Sequence, residues 1–138
     1  MGLIYAEVEV RREGGPSRKV KFLVDSGAML SVLPWSAWHT LGLKPLRRMR
    51  FSLADGRTMR RQVSDCRFRF RGIDVPSPVI LGERRDVALL GTLTLEALGL
   101  VLHPFERTLR PMRMMLAAAV RDTAGLPPDL ERAQSASW

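Results

Sequence analysis

Two stretches of this chain follow one plan, and that repetition limits the folds open to it more than any other feature. The first runs Phe22-Leu23-Val24-Asp25-Ser26-Gly27 and leads to a short helical pattern that closes on Leu41-Gly42-Leu43. The second runs Ala88-Leu89-Leu90-Gly91 and leads to another helical pattern that closes on Leu98-Gly99-Leu100. Each is an apolar strand, a glycine turn and a short helix. Two such units within 138 residues imply related sub-motifs packed about a local pseudo-twofold inside one domain.

Most of the remaining pattern is strand. Ile4, Ala6, Val8 and Val10 alternate with Tyr5, Glu7, Glu9 and Arg11, and a turn cluster follows at Glu13-Gly14-Gly15-Pro16. Val20, Phe22 and Val24 then alternate with Lys19 and Lys21. Loss of alternation at Phe22-Leu23-Val24 predicts burial on both faces just ahead of Asp25. Pro34 suits the start of a helix carrying Trp35, Trp38 and Leu41. Met49, Phe51 and Leu53 alternate with Arg48, Arg50 and Ser52, and Asp55-Gly56 is a tight-turn signal that returns the chain along Thr58 to Val63. Arg67 to Arg71 reads as a further strand with Cys66, Phe68 and Phe70 on its apolar face, and Val79 to Leu81 as another. Thr92 is the expected cap of a helix bearing Leu95 and Leu98, and Leu109 to Leu116 the expected last strand. The fold class is therefore mainly β with one or two short helices. Residues 1–116 form the expected domain, and 117–138 an Ala-rich then polar tail containing Pro127-Pro128.

Asp25 is the residue that asks for a chemical explanation. Asp-(Ser/Thr)-Gly arises by chance in about 6% of chains this long, and it is ordinary turn chemistry. Here, however, the triplet ends a fully apolar strand. An ionisable group at the end of a buried strand is costly unless the site uses it.

Leu23-Val24-Asp25-Ser26-Gly27-Ala28, with Ser31-Val32-Leu33-Pro34 after it, resembles the active-site loop of the retropepsin-like (retroviral-type) aspartic peptidases. Ala88-Leu89-Leu90-Gly91 before Leu95 to Leu100 resembles the second signature of that family. The Asp55-Gly56 hairpin falls between them, where the family carries its flap. The resemblance runs from about Leu3 to Leu116. It implies a closed β-barrel that is one half of an acid protease, completed by homodimerisation. Asp25 would be catalytic, one copy from each chain. Two carboxylates in contact do not both ionise readily, so the pair would share a proton. One would act as general base on a water while its partner polarises the scissile carbonyl, with no metal and no cofactor. By the same resemblance Ser26 braces the two loops across the dimer, and Gly27 and Ala28 complete the active-site loop. Leu89, Leu90 and Gly91 pack beside it. Ala54, Asp55, Gly56 and Arg57 form a flap over an extended peptide substrate. The chain departs from viral members at Thr92, where they often have Arg, at Met29, where they often have an acidic residue, and in a flap poorer in glycine. It looks like a cellular, bacterial relative whose dimer contacts differ.

Composition bears on the rival classes. Nineteen of the 22 basic residues are arginine, and nine of these lie between Arg47 and Arg71. Such a stretch would suit nucleic acid, an anionic membrane or acidic peptides, although a solvated sheet face is the plainer reading. Nucleic acid is disfavoured, because no recognised motif occurs and aromatic residues make up 7% of the chain, thin for base stacking. A catalytically silent dimerisation or peptide-binding module of the same fold is the main alternative, and the intact Asp25-Ser26-Gly27 argues against it. No Gly-x-Ser-x-Gly elbow supports a serine hydrolase. No apolar run reaches the roughly 20 residues of a membrane span, and no signal-peptide pattern opens the chain. Cys66 is the single cysteine, so no disulfide demands an oxidising compartment, and the expected location is cytoplasmic. One Cys and two His make a structural zinc site improbable. Apolar residues are expected beside the cut. Arg57, Arg60 and Arg61, on or near the flap, are expected to favour acidic residues further along the peptide.

Overall fold

Alternating apolar residues at the N-terminus form a hairpin whose inner face is the core. In the computed structural model, which describes residues 3–103 and 105–112, β1 (Tyr5–Arg11) pairs antiparallel with β2 (Ser17–Val24), Val8 opposite Val20 and Ala6 opposite Phe22. Ala6, Val8, Val10, Val20, Phe22 and Val24 are all buried. Leu23, expected to be buried as well, is half-buried, because it lies on the opposite side of the strand from Phe22 and Val24.

The chain continues through β3 (Ser31–Leu33), α1 (Trp35–Leu41), β4 (Arg47–Ser52), β5 (Thr58–Phe70), β6 (Ile73–Leu81), β7 (Leu89–Leu90), α2 (Thr92–Ala97), β8 (Leu100–His103) and β9 (Thr108–Pro111). Pro34 precedes α1 as its cap, and the helix closes at Gly42, whose N–H donates to the His39 carbonyl. The Trp38 indole N–H donates to the Gly82 carbonyl at 2.8 Å and ties the helix to the end of β6. In α2 the expectation about the cap fails. Gly91 holds that position, Thr92 is already helical, and no side chain caps the helix. The rest of the expected strand Leu109 to Leu116 beyond residue 112, and the tail at 117–138, lie outside the described residues.

Two expected strands prove to be one. β5 runs unbroken for 13 residues through Ser64 and Asp65, which read in the sequence as an interruption. Ser64 is buried but donates its hydroxyl to the Lys44 carbonyl at 2.7 Å, while Asp65 points to solvent. Both polar groups are satisfied without leaving the ladder. Pro76 and Pro78 sit where β6 has β5 along one side and β3 reaches only Val79 to Leu81, so the missing N–H groups cost few ladder bonds.

Sheet order is β1-β2-β7-β3-β6-β5-β4, and a further pairing of β1 with β5 closes six of these strands into a ring. The closing seam sets Val10 opposite Phe68 and Arg11 opposite Arg67. Two arginines facing each other would repel, but Asp74 accepts from both, at 2.8 Å each. Those bonds, Arg11's first and then Arg67's, hold the Asp74 carboxyl below its ordinary range. Phe22 and Phe68 fill the centre, fully buried with ring centroids 5.9 Å apart. Burial of each such side chain stabilises the fold by roughly 1.5–3 kcal/mol. Cys66 lies in the same core, and burial pushes its thiol up to about 12, which suits an inert structural role.

Candidate active site

The two echoing motifs meet side by side. β7 lies parallel to the end of β2, with Leu23 opposite Leu89 and Val24 opposite Leu90. This brings Asp25 against the second glycine turn, and its N–H donates to the Leu90 carbonyl at 3.1 Å. The loop then folds on itself. The Gly27 N–H donates to Asp25 Oδ1 at 2.9 Å, and the Ala28 N–H to the Asp25 carbonyl at 3.2 Å. That local bonding orients the carboxylate. Asp25 is half-buried, and among the described residues no Lys, Arg or His pairs with it.

The second turn grips the first in return. N–H groups of Thr92 and Leu93 donate to the carbonyls of Ala28 and Met29, at 2.8 and 3.0 Å. Gly91 is packed so closely that a Cβ there would stand 2.6 Å from the Leu30 carbonyl carbon and 2.7 Å from the Met29 oxygen. Only glycine fits without backbone movement. Its N–H donates to Ser31 Oγ at 2.9 Å, and that hydroxyl lies 2.6 Å from Thr94 Oγ1, which is 2.9 Å from Ser77 Oγ. All three hydroxyl residues are buried. The chain of bonds links β3, β6, α2 and the second turn behind the Asp25 loop. Sequence reasoning missed Thr94 and Ser77. The available signal was a threonine set between Leu93 and Leu95, on the side of α2 that also buries Leu95 and Leu98.

In front of Asp25 lies a cleft of about 760 Å³. Gly27, Ala28 and Leu89 line its floor beside Asp25, with Met29, Leu30 and Leu93 nearby, and the hairpin of β4 and β5 supplies Met49, Phe51, Leu53 and Met59. Of the expected flap residues, Ala54 lines this cleft. Asp55, Gly56 and Arg57 form the turn beyond it, with Gly56 at φ 86° and Arg57 bonded to Asp55 at 2.6 Å. Ser26 is exposed at the rim of the loop, and Leu90 and Gly91 are buried behind it. Arg61 anchors the base of the hairpin through two bonds to Asp86, at 2.8 and 3.2 Å. The Asp86 carboxyl is held low chiefly by the Arg61 bond, with burial opposing and the Glu83 N–H assisting. Among the described residues, no cluster of three or more His, Cys, Asp or Glu could hold a metal ion. No described helix is long and apolar enough to cross a membrane.

A ring-closed sheet in which an Asp-Ser-Gly loop is gripped by a second glycine turn defines the retropepsin-like class of fold. The EIAV protease complexed with the inhibitor HBY-793 matches it with a TM-score of 0.57 at 16% identity, over 83% of this chain and 94% of that one. The retroviral protease-like domain of Ddi1 from Leishmania major gives 0.52 at 17% identity, over 83% and 91%. A retropepsin-like aspartic protease from Rickettsia conorii matches at 23% identity over 70% and 88%, with a TM-score of 0.41. No curated protein matches the sequence significantly. Residues 7–94 match the aspartyl protease family, and the chain belongs to that family.

Proposed function

We propose that this protein is an aspartic endopeptidase, active as a homodimer in which Asp25 of each copy meets its counterpart. The observation that carries this reading is the setting of Asp25. Its carboxylate is oriented by the Gly27 N–H, has no cationic partner among the described residues, and opens onto an apolar cleft beneath a hairpin. A lone carboxylate cannot both activate water and protonate a leaving group in one step, so a second copy has a chemical part to play. Exposed apolar residues near the loop support such an association, with Met29 71% and Leu93 38% exposed. In the dimer one Asp25 takes a proton from water while the other, protonated, polarises the scissile carbonyl. Ser26 of each copy braces the opposing loop, Ala54 to Arg57 close over the peptide, and residues 1–116 make up the peptidase domain.

The test is cleavage of an unbiased peptide library by the full chain and by Asp25→Asn. The near-isosteric change is expected to lower cleavage by roughly a thousandfold while leaving the circular dichroism spectrum and melting temperature in place. Specific activity is expected to rise with protein concentration until the dimer saturates. A sedimenting monomer that cleaves at full rate, or an Asp25→Asn protein that still turns over, would sink the reading.

A further inference from the structure

Apart from Asp25, Arg47 is the single charged residue among the described residues that line the cleft. Its presence there follows from strand parity. Arg47 opens β4 in register with Met49 and Phe51, the residues that give the hairpin its apolar inner side, while Arg48 and Arg50 point the other way. The arginines near the flap that the sequence suggested as selectors are otherwise engaged or directed elsewhere. Arg57 is bonded to Asp55, Arg61 to Asp86 and Glu83, and Arg60 stands opposite Arg50; none of the three lines the cleft. Arg47 has no carboxylate partner among the described residues.

Arg47, itself exposed, shares the cleft lining with Met49, Phe51, Val32 and Ile80 and gives such a pocket a polar point of discrimination. An extended peptide carries side chains to alternate sides, so a chain crossing this cleft can set apolar groups against Met49 and Phe51 and still present one carboxylate to Arg47. We propose that Arg47 is a specificity-determining residue, making the cleft select extended peptides with an acidic side chain close to apolar ones. The inference rests on the peptidase reading for the identity of the ligand as a peptide, and homodimerisation would supply one such arginine from each copy.

The experiment uses matched apolar peptides carrying Glu, Gln or Lys at each position flanking the apolar pair. Binding is read by fluorescence anisotropy on Asp25→Asn, and cleavage on the unaltered chain. Glu peptides are expected to exceed their Gln counterparts by about three- to fivefold at low salt, with the ratio shrinking at high salt. Arg47→Gln is expected to bring the ratio to one, and Arg47→Glu to favour Lys. Equal binding of Glu and Gln peptides, unmoved by Arg47→Glu, overturns the inference whether or not peptides are cut. A Glu preference that follows Arg47 in binding, with no cleavage by the unaltered chain, overturns the peptidase reading and leaves the selectivity standing. No binding of any peptide overturns both.

Discussion

Ser31 is a small residue with a large share in the site. Its hydroxyl accepts from the buried Gly91 N–H and meets Thr94, so Ser31→Ala removes one partner from each of two groups that water cannot reach. A buried donor left unmade costs about 1–3 kcal/mol, and urea denaturation should show a loss in that range. Gly91→Ala is expected to cost roughly 3 kcal/mol or more, since backbone at Met29 and Leu30 would have to move. A stability close to that of the unaltered protein in either variant would mean that the turn relaxes more easily than its packing implies. Thr94 shows why this part of the site was hard to read. A hydroxyl inside a six-residue helix looks like a surface choice until Ser31 and Ser77, 63 and 17 residues away in sequence, are seen to meet it.

At the level of elements, the hairpin and the two glycine turns were legible because each depends on neighbours in sequence. Alternation from Met49 to Leu53 and the Asp55-Gly56 turn gave β4 and the start of β5 nearly to the residue. Extension of β5 through Ser64 was not legible, because the Lys44 carbonyl that satisfies that hydroxyl comes from a separate segment. The same holds for the anchoring of the hairpin by Asp86. That carboxyl is held below 3.8, its ordinary value, so its pairing with Arg61 contributes fully above that value and is lost as pH falls through the lowered one. Stability from this pair is therefore flat through neutral pH and declines only in strong acid. Arg61→Gln is expected to cost about 1–2 kcal/mol at pH 7, with the difference from the unaltered protein shrinking as the pH falls below the ordinary carboxylate range. Urea denaturation at several pH values checks this. A constant difference down to pH 2 would place the contribution of Arg61 in its packing instead of its charge.

For the molecule as a whole, the deciding event is closure of the ring, and nothing local announces it. β1 and β5 are each ordinary strands in sequence, and their pairing is visible only in the fold, where Asp74 accepts from both Arg11 and Arg67. Asp74→Asn is expected to lower the melting temperature and to speed hydrogen exchange at Val10 and Arg11 well before it speeds exchange in β6. Uniform acceleration over the sheet would instead mean that the ring opens as a unit. The seam also sets a schedule for the growing polypeptide. Val10 must wait for Phe68, and Asp25 must wait for Leu90 and Gly91, so a nascent chain released short of those residues carries the acidic loop held only by its own turn bonds. The two halves of the loop's support thus come from segments more than sixty residues apart, and the grip on Asp25 exists only once both have been made.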